Sequence, residues 1–510
     1  MARNLDASVN QRFSTRLGFL LSVIGIAVGT GNIWRFPRIV AQNGSDKGAG
    51  AFLVAWVVFL CLWSIPLVLA EYAMGRKCRM GVVGTIARIA GEKFAWMGAF
   101  MTFVTAAITF FYSVVVGWCL YYFVQMLTNP LPLTTEVAMT RWNDYQSSGW
   151  PLVTHAVVMG LGAFAIWWGV TSIERVNKIL IPTLLAIVLI SVVRALTLPG
   201  AWAGVAYLFT PEWGQLSRPR IWMEALTQNA WDVGAGWGLY LTYAAYVKRE
   251  HGVVKNGFIT PIGNNLVSML AALMLFATVF AVLRTEMRMT QPEVLEIMRT
   301  SGLASTGLTF IWIPQLFARM FLGRPLAVLF FLGLTFAGFS SLIAHLELST
   351  RVLIDVGLKR SRAIVLVIVI IYLLGIPSAI SLNILKNQDF VWGYALIISG
   401  ALVAFAVMRY GAGRLRNEEL LVDENDWKLG RWWDVVLVGF VPLGAITLLV
   451  WWLVKEAEPG KWYNPLNPTS VMNCLVQWFV VLIVLLLIGR WLARRSLKVG
   501  MPKVSRYSGQ

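Results

Sequence analysis

The sequence predicts an all-α membrane protein that crosses the bilayer twelve times. Three observations lead to this fold class: 58% of the 510 residues are hydrophobic and only 13% are charged, the mean hydropathy is +0.68, and apolar residues recur in runs of about 20. Soluble proteins carry roughly 25% charged residues. The composition therefore excludes an ordinary soluble protein, a disordered chain, a collagen-like chain and a disulfide-rich scaffold.

Each apolar run is long enough to satisfy its backbone polar groups inside one membrane helix. The twelve predicted spans, numbered in chain order, are 17–40, 51–74, 97–127, 153–170, 179–198, 221–247, 258–282, 325–353, 363–380, 390–408, 435–453 and 471–492. An even number places both termini on the same face. The apolar stretch 294–317 is interrupted by glycine and proline, and we predict that it forms a short hairpin over the external face.

The distribution of basic residues predicts the orientation. Most of the 43 Lys and Arg residues lie in the loops that face the cytoplasm if the N-terminus is inside, as expected for an inner (plasma) membrane protein with both termini cytoplasmic. The net charge of +18 is divided among short loops, whereas a nucleic-acid site needs a contiguous basic patch. We therefore expect a lipid bilayer and no nucleic acid as partner.

No sequence pattern indicates an enzyme. The four cysteines have no Cys-x-x-Cys spacing and lie in or beside predicted helices, which favours packing over a metal site or a disulfide. A nucleophile motif and a phosphate-binding loop are also missing from the sequence, so we expect no organic cofactor. A sensor or channel without coupled transport remains an alternative to a transporter.

Glycines interrupt two spans at mid-depth. They are Gly25, Gly29 and Gly31 in span 1, and Gly234, Gly236 and Gly238 in span 6. Each costs about 1 kcal/mol of helix propensity relative to alanine, which predicts local unwinding, although close helix packing is the alternative. Interrupted helices in two corresponding halves indicate a binding site near the bilayer midplane. We expect an inverted repeat of five plus five helices in residues 1–410, with spans 11 and 12 and a cytoplasmic tail in 411–510.

Ionisable residues inside the apolar spans require a partner or a function. Asp232, beside the interruption of span 6, is expected to attract a cation, with a salt bridge to a buried arginine as the alternative. Glu71 is expected to accept N–H groups freed by the break in span 1. Arg35 and Asp389 are candidates for an ion pair above the site, although Asp389 is equally compatible with a solvated surface position.

Span 8 carries polar residues on one helical face. Ser341 and His345 are four residues apart and share that face. Ser340 and Ser341 either bond back to their own helix or act as oxygen ligands for sodium. His345 is either a hydrogen-bonded packing residue or a ligand of the substrate.

Several motifs closely resemble the neurotransmitter:sodium symporter family. The most specific is Ala27-Val-Gly-Thr-Gly-Asn-Ile-Trp-Arg-Phe-Pro37, and others are Pro66-Leu-Val-Leu-Ala-Glu-Tyr-Ala-Met-Gly-Arg76 and Ala337-Gly-Phe-Ser-Ser341. The resemblance covers spans 1 to 10. It implies a bacterial member with the leucine-transporter fold, with spans 1 and 6 unwound, that couples substrate uptake to the sodium gradient by alternating access. Sodium is the co-transported ion, and the chain is expected to be a monomer or weak dimer.

The resemblance also implies three binding sites. Sodium site 1 would comprise Ala27, Asn32, Asp232 and Asn264. Sodium site 2 would comprise Gly25, Val28, Ala337, Ser340 and Ser341. The substrate site would comprise Ala27, Thr30, Gly31, Ile108, Tyr112, Trp231, Asp232, Gly234, Trp237, Ser341 and His345.

Gate residues follow from the same resemblance. Arg35 with Asp389 is similar to the external gate, and Asp355 matches the acidic residue of the internal gate. The basic partner of Asp355 is not in register, because Asn10 stands in its place and Arg12 lies nearby.

Three departures from the family bear on ions and substrate. The positions that bind chloride in animal members correspond to Trp56, Gln228, Asp232, Asn264 and Ser268. The fixed carboxylate of Asp232 would replace chloride and repel a second anion, which predicts chloride independence. Gly29 stands where monoamine carriers have aspartate, which favours a substrate with its own carboxylate. The wide aromatic pocket suits a bulky or aromatic amino acid, and the alternative is a nucleoside-like solute that bonds His345.

Overall fold

The computed structural model describes residues 11–248, 252–299, 307–457, 462–464 and 467–500, and within these ranges the chain is helical without a β-strand. Ten of the helices are long and apolar enough to cross a bilayer, and a bent pair near the N-terminus counts as an eleventh span. Predicted span 6 does not meet this length because it is divided into two short helices. The all-α membrane fold is confirmed, whereas the count of twelve stays a prediction.

The helices that build the membrane part are α1 (Arg16–Ala27), α2 (Gly31–Asn43), α3 (Gly50–Cys78), α4 (Glu92–Thr128), α5 (Trp150–Trp167), α6 (Val170–Leu196), α7 (Pro219–Asp232), α8 (Leu239–Ala244), α9 (Val254–Glu286), α10 (Gly323–Asp355), α11 (Arg360–Ile380), α12 (Leu382–Tyr410), α13 (Trp432–Glu456) and α14 (Val471–Lys498).

Both glycine-interrupted spans are broken, as predicted. Helices α1 and α2 form span 1 and meet at a bend of 50°. Helices α7 and α8 form span 6 and are separated by residues 233–238, in which three glycines have positive φ: Gly234, Gly236 and Gly238. An added side chain at Gly236 would approach the backbone of Gly400 to 2.7 Å, so close packing and unwinding act at the same position.

Helix α6 differs from the predicted span 5 because it begins at Val170, nine residues before the apolar run starts. Its first two turns contain Glu174 and Lys178, whose side chains form an ion pair at 2.7 Å. Glu174 also accepts hydrogen bonds from Ser14 and Thr15. These contacts hold polar residues on the helix at its N-terminal end, which a hydropathy criterion would exclude from the helix.

Shorter helices lie between the spans: Val82–Ala90, Thr135–Ser147, Ala201–Phe209, Gln291–Arg299, Gly307–Trp312 and Ile313–Ala318. The last three occupy the predicted external hairpin, whose residues 300–306 lie outside the described ranges. Phe310 of this segment stacks on Trp142 with ring centroids 5.3 Å apart. The segment is therefore packed onto the helix Thr135–Ser147, and its described apolar part, Gly307–Ala318, is too short for a further span.

The core of the molecule surrounds the broken helices. Helix α10 packs along α4, α6 and α1, and its residues Ser340 and Ser341 are buried. In contrast, only 17% of the most apolar part of α14 is buried, compared with 78% of that of α4. Helix α14 thus lies at the lipid-facing periphery, away from the breaks.

Candidate functional site

The break in span 6 is held open by Glu71 of α3. Its carboxylate accepts the backbone N–H groups of Gly236 at 2.6 Å and Leu241 at 3.1 Å. The expectation that Glu71 serves the break in span 1 is wrong in this respect. Helix α3 packs directly along α8, so its buried carboxylate meets donors that the unwound turn of span 6 leaves without helical partners.

A polar cluster connects α2, α9 and the end of α7. The Asn32 amide donates to Asn264 Oδ1 and to the Ser268 hydroxyl, both at 2.7 Å. Asp232 Oδ2 accepts from Ser268 at 2.7 Å and from Asn264 at 3.4 Å. The other oxygen, Asp232 Oδ1, is buried and has no hydrogen-bond partner in the described part of the chain. A buried carboxylate oxygen in this position is suited to a cation.

Asp232 is not part of a buried salt bridge. Within the described ranges, no Lys or Arg nitrogen lies within 4 Å of its carboxylate. The alternative of a structural ion pair to a buried arginine is therefore wrong in this structure.

A second cluster consists almost entirely of oxygen atoms, between the broken end of α1 and the middle of α10. The Ser341 hydroxyl lies 3.2 Å from the Gly25 carbonyl and 3.4 Å from those of Val28 and Ala337. The Ser340 hydroxyl lies 2.9 Å from the Ala337 carbonyl and 3.4 Å from that of Val28. Two hydroxyl protons cannot satisfy all of these carbonyl oxygens. The geometry is suited to a small hard cation that binds oxygen.

A cavity adjoins both clusters, and all of the residues expected to bind substrate line it: Ala27, Thr30, Gly31, Ile108, Tyr112, Trp231, Asp232, Gly234, Trp237, Ser341 and His345. The cavity continues to Arg35 and Asp389, so it extends from the broken helices to the residues of the expected external gate.

Aromatic rings form one side of this cavity. Trp231 and Trp237 meet edge to face with centroids 5.8 Å apart. The His345 ring lies between Trp237, at 5.6 Å, and Tyr112, at 5.4 Å. No hydrogen bond to either ring nitrogen of His345 occurs within the described residues, and Nδ1 is buried. His345 therefore packs between two aromatic rings without the hydrogen bond that the packing alternative included, and its ring retains hydrogen-bonding capacity beside the cavity.

The polar pole of the cavity, formed by the Thr30 backbone and the Tyr112 hydroxyl, lies at the break between α1 and α2. The Thr30 backbone N–H donates to the Tyr112 hydroxyl at 3.3 Å. A Cβ on Gly29 would lie 3.0 Å from both the Tyr112 and the Ser341 hydroxyl oxygens. Glycine at this position therefore keeps two hydroxyls close to the start of α2, where the helix dipole favours an anionic group.

The expected external ion pair is absent from this conformation. In the described structure, Arg35 and Asp389 are not within 4 Å of each other. The Arg35 guanidinium instead lies 4.4 Å from the centre of the Trp231 ring, and the Asp389 side chain is exposed. The Arg35 guanidinium is therefore engaged in a cation–π contact in this conformation.

On the opposite face Asp355 has a partner that was not expected. Arg351, one turn earlier on α10, forms an ion pair with it at 2.9 Å, and the Gly81 N–H donates to it at 2.5 Å. Asn10 lies outside the described residues, and Arg12 donates to its neighbouring carbonyl. Phe13 of the N-terminal segment is buried against Tyr243, and its N–H donates to the Tyr246 carbonyl at 3.1 Å, so packing and hydrogen bonds hold the segment here.

Sequence reasoning missed further residues of the cavity wall: Phe111, Val115, Arg38 and Leu385. Phe111 and Val115 follow Ile108 at helical spacings of three and seven, so extending the face of Ile108 along α4 would have identified them. No sequence signal marks Arg38 or Leu385, because their positions depend on how α2 and α12 pack.

Known proteins share this arrangement over most of the chain. The model of the sodium:neurotransmitter symporter family matches residues 10–150 and 143–498. An uncharacterized sodium-dependent transporter of Methanocaldococcus jannaschii is 31% identical over 460 residues, which cover 86% of this chain and 89% of that protein. The sodium-dependent serotonin transporter of Drosophila melanogaster is 28% identical over 521 residues, which cover 91% of this chain and 80% of that protein.

A solved structure is similar over a comparable length. The crystal structure of MhsT in complex with L-phenylalanine has a TM-score of 0.75 and 27% sequence identity, and the match covers 86% of this chain and 99% of MhsT. These relatives are membrane transporters and not enzymes. The chain therefore belongs to the sodium:neurotransmitter symporter family.

Proposed function

We propose that this protein takes up a bulky or aromatic amino acid together with sodium, by alternating access and without chloride. The observation that carries the proposal is the shape of the cavity, which has a polar pole at Thr30 and Tyr112 and an aromatic wall at Trp231 and Trp237. The carboxylate of an amino acid would bind at the polar pole, and its apolar side chain would pack against the aromatic wall. MhsT, whose structure holds L-phenylalanine, supports the same substrate class.

The two polar clusters would bind the co-transported ions. Site 1 would use Asn32, Asn264, Asp232 and the Ala27 carbonyl, with the unpartnered oxygen of Asp232 supplying negative charge. Site 2 would use the carbonyls of Gly25, Val28 and Ala337 with the hydroxyls of Ser340 and Ser341. Because both sites include the broken end of α1, sodium binding would stabilise the helix position that completes the substrate pocket.

During alternating access, the open side of the cavity would close and the closed side would open. In the present structure the cavity reaches Arg35 and Asp389 on one side, while Phe13 and the Arg351–Asp355 pair close the other. We propose that the first side is external and that both termini are cytoplasmic in the plasma membrane. Residues 1–410 would form the transport core, with α13 and α14 attached to it.

A thermal-shift screen would test the substrate class. Purified protein is heated with single amino acids or nucleosides, in sodium or in choline buffer, because a specific ligand raises the unfolding temperature by mass action. We expect aromatic amino acids to stabilise the protein only in sodium, and we expect uptake of the same compounds by proteoliposomes along a sodium gradient. Stabilisation by a nucleoside and by none of the amino acids would refute the proposed class.

A further inference from the structure

Helices α1 and α6 face each other across a polar seam on the closed side of the molecule. Gly18, Ser22 and Gly25 are spaced by four and three residues, which places them on one face of α1. A Cβ on Gly18 would lie 2.0 Å from Glu174 Oε1, and a Cβ on Gly25 would lie 3.2 Å from Asn177 Oδ1. The missing glycine side chains thus make room for polar groups of α6.

The upper part of this seam has polar atoms without partners. Asn177 and Ser22 are both fully buried, and neither amide atom of Asn177 nor the Ser22 hydroxyl has a hydrogen-bond partner in the described residues. An unsatisfied buried polar group costs about 1–3 kcal/mol. In contrast, Glu174, one turn lower, is satisfied by Ser14, Thr15 and Lys178.

These unpartnered atoms adjoin the proposed sodium site 2. The Gly25 carbonyl lies 3.2 Å from the Ser341 hydroxyl, and the α carbon of the same residue faces Asn177. Polar groups buried at membrane depth mark ion pathways. The same atoms would be satisfied if α1 and α6 separated and admitted a cation or water.

We propose that Ser22 and Asn177 form an inner oxygen site that receives partly hydrated sodium after it leaves site 2 and before it reaches the cytoplasm. The proposal rests on the proposed sodium-coupled function. Ser22 and Asn177 offer fewer oxygen ligands than the five of site 2, so they would hold sodium more weakly, as a step on an exit path requires. The site would form when α1 moves away from α6. Sodium bound by Ser22 and Asn177 would offset part of the free energy that is lost when the two helices separate.

Proteoliposomes with controlled internal sodium test this site. The variants are Asn177→Leu, Asn177→Asp and Ser22→Ala, and the control is Asn256→Leu, which removes a buried amide that donates to the Gly252 carbonyl just before the start of α9. The measurements are the maximal uptake rate of labelled L-phenylalanine, the internal sodium concentration that halves it, and equilibrium L-phenylalanine binding at varied sodium.

For Asn177→Leu we expect maximal uptake to fall about tenfold while the sodium dependence of equilibrium binding changes less than about twofold. For Asn177→Asp we expect internal sodium to inhibit at about tenfold lower concentration, because the added carboxylate holds the leaving ion. A role in packing alone would not produce the second result. If the Asn177→Leu protein does not bind L-phenylalanine, the internal-sodium inhibition of the Asn177→Asp and Ser22→Ala variants tests the proposal.

Wild-type rates and wild-type internal-sodium inhibition in all three variants would overturn the inner site. A wild-type protein without sodium-driven uptake of any aromatic amino acid would instead refute the proposed function. The two failures are therefore distinguishable.

Discussion

Replacing Asp232 with serine should make sodium-coupled uptake depend on chloride. In the structure the Asn264 amide bridges the Asp232 carboxylate and Asn32, so the carboxylate charge would lie no more than about 4 Å from a sodium ion in site 1. Two unit charges at about 4 Å attract by about 4 kcal/mol at an effective dielectric constant near 20, equivalent to about 10³ in affinity. The serine hydroxyl replaces one oxygen ligand, so we expect sodium affinity to fall at least about 100-fold in chloride-free buffer.

Uptake of L-phenylalanine into proteoliposomes, with gluconate or chloride as the anion and sodium varied, measures this effect. We expect chloride to restore most of the lost sodium affinity in Asp232→Ser and to have no effect on the wild type, where the carboxylate repels a second anion. The control is Asp389→Asn, which removes a carboxylate from the same cavity away from the asparagines. Unchanged sodium affinity in Asp232→Ser, or a wild type that requires chloride, would refute the reasoning.

Three further substitutions probe the remaining parts of the site. His345→Leu should lower the uptake ratio of tyrosine to phenylalanine about five- to tenfold, which corresponds to the loss of one hydrogen bond, and should leave sodium affinity unchanged. Competition assays measure this ratio, and an unaltered ratio would show that the His345 ring does not contact the substrate. Gly29→Ala should weaken L-phenylalanine binding at least about tenfold, because the new methyl group crowds the hydroxyls of Ser341 and Tyr112; equilibrium binding at native affinity would contradict it. Glu71→Gln should destabilise the protein by about 1–3 kcal/mol, because the glutamine side chain has one acceptor oxygen fewer and leaves a backbone N–H of the unwound turn without an acceptor. A thermal unfolding temperature equal to that of the wild type would show that the carboxylate is dispensable.

Much of the fold and of the cavity could be predicted because the relevant signals are local. Apolar runs and glycine clusters act within one helix, so the breaks at Gly29 and Gly236 follow from neighbouring residues. The family motifs placed Ser340 and Ser341 beside the break in α1, and the structure brings them within 3.2–3.4 Å of its carbonyls. Phe111 was missed although the helical spacing from Ile108 indicates it.

The sequence by itself determined that this protein lies in a membrane, where its helices break, and which polar side chains are buried beside the breaks. Only the tertiary structure decided how side chains of different helices meet: Glu71 serves the break in span 6, and Arg35 lies on Trp231 and not beside Asp389. The physical reason is that propensity and hydropathy act between neighbours along the chain. The partner of a buried polar group is chosen by which helices pack together, and the residues that meet there are often more than a hundred positions apart.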